Sequence, residues 1–125
     1  MTAVSLRDDT CFEYRFDAGH VDAFWLARQL LEQWMRERHV RSDAIGDLLV
    51  VTTELCTGAG EGLLLRADVH GEDVEICVES AGGALVLGEA GDLRLAAALC
   101  DEVVLKVTPE RAIVRARRHC AILPA

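Results

Sequence analysis

Residues 48–62 read LLVVTTELCTGAGEG, and the assignment of this stretch decides the fold. Leu48, Leu49, Thr52, Leu55, Cys56 and Ala59 recur at three- and four-residue intervals, the period of a helix with one buried face. Ile45 extends the stripe upstream. Ser42 and Asp43 supply a start, the serine hydroxyl capping free backbone N–H groups and the aspartate meeting the positive end of the helix dipole. Gly58, Gly60 and Gly62 end it, because a glycine inside a helix costs about 1 kcal/mol relative to alanine.

Outward from this helix the periods change. Residues 11–17 alternate strictly, with Phe12, Tyr14 and Phe16 on one side and Glu13, Arg15 and Asp17 on the other, so a half-buried strand is expected there. From residue 21 to about residue 38, Phe24, Ala27, Leu31, Trp34 and Met35 share a helical face, with Arg28, Glu32, Arg36 and Glu37 turned away. Both tryptophans of this helix, Trp25 and Trp34, are read as core. Residues 63–69 and 74–79 read as a hairpin around His70, Gly71, Glu72 and Asp73, which makes His70 a turn residue. Residues 93–100 read as a third helix. Residues 102–108 and 111–118 read as a closing hairpin around Thr108, Pro109 and Glu110. The order β-α-α-β-β-loop-α-β-β predicts an α+β fold, a two-layer sandwich of helices on one face of a mixed, mostly antiparallel sheet.

Composition narrows the function. The 125 residues fit one domain, 1–125, and 51% of them are apolar, enough for a core without disulfides. Arg7, Asp8 and Asp9 have no apolar run behind them, and no stretch approaches the ~20 apolar residues of a membrane span, so no membrane association and a cytoplasmic location are expected. The net charge of −8 argues against nucleic acid as a partner, since that affinity comes from cations neutralising phosphates. Charge is uneven: residues 54–102 hold eleven acids against Arg66 and Arg94, whereas residues 103–125 hold Lys106, Arg111, Arg115, Arg117 and Arg118 against Glu110. Five cysteines with no C-x-x-C pair indicate neither a disulfide framework nor a zinc site, and no metal ligands are assigned.

The run Glu54-Leu55-Cys56-Thr57-Gly58-Ala59 resembles the Glu-Leu-x-Thr-Asn-Ala run of the GHKL (histidine-kinase-like) ATPase family. The element order, the hairpin ending Val78-Glu79-Ser80-Ala81-Gly82 and the junction Leu99-Cys100-Asp101-Glu102-Val103 are similar to the small bacterial anti-sigma-factor serine/threonine kinases of that family. The resemblance covers nearly the whole chain. It implies the Bergerat-type sandwich, with ATP held between the second helix and a lid. It also implies Mg²⁺ as the metal, a sigma factor or an anti-sigma antagonist as partner, and a homodimer formed near the first strand.

In the family the helix glutamate polarises the attacking group, the asparagine four residues later ligates Mg²⁺, and an aspartate in Asp-x-Gly-x-Gly bonds the adenine amino group. Glu54 matches the first of these, and Thr57 keeps its place in the run. Gly58 replaces the asparagine and offers no side-chain oxygen to a cation that requires oxygen ligands. Ser80 replaces the aspartate with a shorter, uncharged group. Gly82 matches the first glycine of that motif, while Ala84 occupies the second. Gly91 with Asp92 is what remains of the glycine pair opening the third helix, and Asp92 and Glu61 add negative charge where phosphates would lie. The departures predict impaired or lost ATP and Mg²⁺ binding and a regulatory protein-binding module. The alternative is an ATP-binding anti-sigma factor with serine/threonine kinase activity, using Glu54 as base.

Two roles stay open for Glu54: the family's base, or a polar residue on the less buried side of its helix. Gly82, Gly83, Gly88 and Gly91 read as a flexible connection. His20, His39, His70 and His119 fall at element ends or in turns, with no serine or cysteine at a telling spacing, so a hydrolytic triad is not expected. Arg111, Arg115 and Arg117 share one side of the last strand, as a solvated face or as a docking strip for an acidic partner.

Overall fold

A computed structural model of the protein describes residues 11–17, 21–56, 62–81 and 93–120. Its elements are β1 (Cys11–Phe16), α1 (Val21–Glu37), α2 (Ser42–Cys56), β2 (Leu63–His70), β3 (Asp73–Ala81), α3 (Arg94–Leu99), β4 (Glu102–Val107) and β5 (Arg111–His119). The strands form one sheet in the order β1-β2-β3-β5-β4. The α+β two-layer sandwich forms as expected. Among the described residues every strand pairing is antiparallel, where a mixed sheet was expected. The connection through α3 carries the chain past β5, so β4 becomes an edge strand that runs parallel to β3 without touching it.

Alternation along each strand divides the sheet into two faces. Register stacks Phe12 on Ala67 and Ile76, Tyr14 on Leu65 and Val78, and then Val114. These side chains are buried beneath α1 and α2, which contribute Leu31, Met35, Leu48 and Leu55. Trp34 is buried against Phe12, their ring centroids 6.0 Å apart. Trp25 departs from the expectation that it belongs to the core: it is 49% exposed, with the Arg28 guanidinium 5.3 Å from its ring centroid. It lies on the far side of α1 from the buried stripe, so the amphipathic pattern itself turns it outward.

Helix ends show which local signals acted. α1 stops in a Schellman arrangement: Val40 N–H donates to Met35 C=O, His39 N–H donates to Arg36 C=O, and His39 takes the left-handed conformation at φ 61°. Val40 is buried and closes the turn. At the start of α2 the side-chain acceptor is Asp43, whose Oδ1 takes the Ala44 N–H at 2.9 Å, in place of the expected Ser42 hydroxyl. Further along α2, Asp47 accepts a hydrogen bond from Arg118 of β5, tying the helix layer to the sheet.

The β2–β3 connection is tighter than expected. Gly71 and Glu72 alone form the turn, Gly71 at φ 64°, while His70 and Asp73 are the last paired residues of their strands. His70 is therefore a strand residue. Among the described residues no helix is long and apolar enough to cross a membrane.

Candidate functional site

Glu54 belongs to the last turn of α2, beside a stripe whose members Leu48, Val51 and Leu55 are wholly buried. Its carboxylate is directed at the next helix in the chain. Oε2 accepts the Leu95 N–H at 3.0 Å, and Oε1 accepts the Ala96 N–H at 2.7 Å. The first N–H groups of any helix lack partners within it. In α3 the residue before the helix, Leu93, makes no side-chain capping bond. Glu54 supplies that cap from another helix, and both of its oxygens are engaged.

Ser80 is on the helix-covered face of β3, between Leu63 and Ala112 in register, and it is 0% exposed. Its Oγ has no hydrogen-bond partner among the described residues. The position assigned by resemblance to the adenine-reading carboxylate is thus buried and carries a hydroxyl with no partner among the described residues. The other assigned positions, Thr57, Gly58, Gly82 and Gly91, lie outside the described residues, as do Glu61, Ala84 and Asp92. Of the sequence-derived candidates, Glu54 and Ser80 alone are described, both in the layer between helices and sheet.

A cavity of about 170 Å³ opens beside Ser80, toward the outer sheet face at the end of β3. Ser80 lines it together with Arg15, Gly62, Leu64, Glu79, Glu110 and Arg111, and Arg111 is ion-paired to Glu79 at 2.8 Å. Its charges balance internally, and it is smaller than the ~300–1,000 Å³ of pockets that enclose drug-sized ligands.

The same outer face resolves the basic strip of β5. Arg111 meets Glu79, and Arg117 lies 3.1 Å from Asp73 and 3.6 Å from Glu102. Arg115 stands opposite Cys77 and Val104. Most of the strip's charge is met by acids of neighbouring strands, as a solvated sheet face would have it. His119 Nδ1 lies 3.0 Å from Asp73 Oδ1, and this contact, with the Arg117 guanidinium, holds the Asp73 carboxyl below the usual carboxylate range.

On the β2–β3 hairpin, Asp68, His70 and Glu75 bring one ligand atom each within 4.8 Å of one another. Sequence reasoning missed this group, since treating His70 as a turn residue hid its place two positions along the strand from Asp68 and diagonal to Glu75. Tetrahedral zinc needs its ligand atoms about 3.4 Å apart, so the grouping is looser than a formed site.

All five cysteines are free. Burial pushes the Cys56 thiol up to about 12 and is also the main cause that raises Cys11 and Cys100 to about 11. Cys77 and Cys120 are raised by burial too. Thiols in this state are poor nucleophiles at neutral pH.

No protein-family model and no curated protein matches the chain. Among solved structures it is similar to the RsbU and RsbW domains of Rv1364c from Mycobacterium tuberculosis, with a TM-score of 0.74 and 20% sequence identity over 92% of the chain. The match spans 33% of that protein chain, about a third of its length. At this identity the likeness is one of fold.

Proposed function

We propose that the protein is a regulatory, anti-sigma-factor-like protein-binding module built on a GHKL ATPase scaffold, with ATP and Mg²⁺ binding impaired or lost. The observation that carries this reading is the double hydrogen bond from the α3 backbone to Glu54. A catalytic glutamate must present a lone pair to the attacking group within about 3 Å. Here the carboxylate is directed at Leu95 and Ala96, and the α3 N–H groups that could meet an anion already have one. Gly58, with no oxygen to offer a cation, supports the same conclusion.

A sigma factor or an anti-sigma antagonist is the partner class that the sequence resemblance supplies, and the shared fold with the RsbU and RsbW domain structure supports it. Exposed Val21, Trp25 and Leu26 on α1 give a partner apolar surface to bury.

The alternative, an ATP-binding anti-sigma factor with serine/threonine kinase activity, draws on the unmet Ser80 hydroxyl, a buried polar group of the kind a ligand satisfies. Calorimetric titration with ATP, with and without magnesium, separates the two. The proposed reading predicts no saturable heat at millimolar nucleotide, and micromolar Mg-ATP affinity would overturn it.

A further inference from the structure

β4 is one edge of the sheet, with β5 on one side and no described strand on the other. Val104, Leu105 and Val107 are 47%, 45% and 56% exposed. An open edge with bare apolar side chains and no proline invites another strand, and proteins normally blunt such edges. The opposite edge differs. On β1 the apolar Phe12, Tyr14 and Phe16 are buried, and Glu13 lies 3.5 Å from Arg66.

Backbone geometry limits how β4 can be extended. Thr108 N–H donates to Arg111 C=O at 2.8 Å, and the β4–β5 register runs back from there without a bulge. Backbone groups alternate sides along an antiparallel strand. Val104 and Lys106 therefore turn theirs toward β5, while Val103 and Leu105 turn theirs to the free edge. In a two-fold antiparallel pairing of β4 with itself, outward-turned residues must meet outward-turned residues. Centring the pair on Val104 satisfies this and sets Val103 against Leu105 of the second copy. It also sets Glu102 against Lys106, twice, at the non-hydrogen-bonded positions where side chains approach most closely. Centring on Leu105 would leave Lys106 opposite Val104.

We propose that the protein self-associates through β4, two copies pairing antiparallel about Val104 so that their five-stranded sheets become one of ten strands. The occupant of the edge is a second copy because the strand is complementary to itself in backbone register and in charge, as a symmetric dimer interface must be. The inference does not rest on the nucleotide reading.

Analytical ultracentrifugation of the purified chain tests it, with melting curves to establish that each variant folds. The wild type sediments as a dimer that dissociates on dilution. Lys106→Glu and Glu102→Lys each place two like-charged pairs across the axis and weaken association about tenfold. An equimolar mixture of these two variants restores opposite charges at both positions, so it forms a heterodimer of wild-type strength. The double variant E102K/K106E does the same within one chain. A wild type that stays monomeric at about 200 µM, single variants that dimerise as the wild type does, or a mixture or double variant that fails to recover would each overturn the proposal.

Discussion

Glu54 and Ser80 occupy the same layer of the molecule in opposite states, one a charged group with both oxygens bonded, the other a neutral hydroxyl with none. Removing the Glu54 cap leaves two N–H groups of α3 without acceptors. Glu54→Ala is therefore expected to cost about 1–2 kcal/mol, in the range of a lost helix cap. Hydrogen exchange should speed selectively at the Leu95 and Ala96 amides, and unchanged exchange there would show that the cap does not hold. At Ser80 the expectation reverses. Ser80→Ala removes an unmet polar group and raises stability by about 1 kcal/mol in thermal melts. Ser80→Asp buries an unpaired carboxylate and lowers stability by several kcal/mol. The burial of Ser80 follows the alternation of β3, although the strand expected from the sequence stops at residue 79. The engagement of Glu54 was not legible in the sequence, because its partners lie 41 and 42 residues away on a helix whose docking no local pattern encodes.

At the scale of elements, the α1 terminus places a non-glycine residue in the left-handed region, where a side chain crowds its own carbonyl. His39→Gly relieves this and is expected to stabilise the chain by about 0.5–1 kcal/mol, the glycine's greater freedom when unfolded offsetting part of the gain. Chemical denaturation measures it. On the outer sheet face, Asp73 joins β3 to His119 and Arg117 of β5. Its carboxyl titrates below the ordinary range when folded, so its contribution is present above the unfolded carboxylate value and is lost as pH falls through the folded one. The melting-temperature difference between wild type and Asp73→Asn should accordingly shrink as pH drops below 4. Periodicity located the elements, with bounds within one or two residues apart from the end of α2, whose expected extension to Ala59 lies outside the described residues, since period 2 and period 3.6 are local. It could not show that Arg111 and Arg117 of β5 are met by acids, because that depends on register between strands far apart in sequence.

At the scale of the whole molecule, the pieces form an acidic α+β sandwich whose fold recurs in the RsbU and RsbW domain structure. The thiols of Cys56, Cys77 and Cys120 are buried and belong to the packing. A thiol reagent at neutral pH should leave Cys56 and Cys120 unmodified in the native chain, while all five cysteines react once it is denatured. The sequence disclosed the architecture through element order, and Gly58 and Ser80 are the substitutions behind the proposed loss of nucleotide binding. The hold of α3 on Glu54 required the folded chain. In the proposed function this carboxylate caps α3 and does not serve bound nucleotide. Amide correlation spectra recorded during Mg-ATP titration test it most directly: the Leu95 and Ala96 resonances should stay in place to about 1 mM nucleotide, and saturable shifts of both at lower concentration would contradict it.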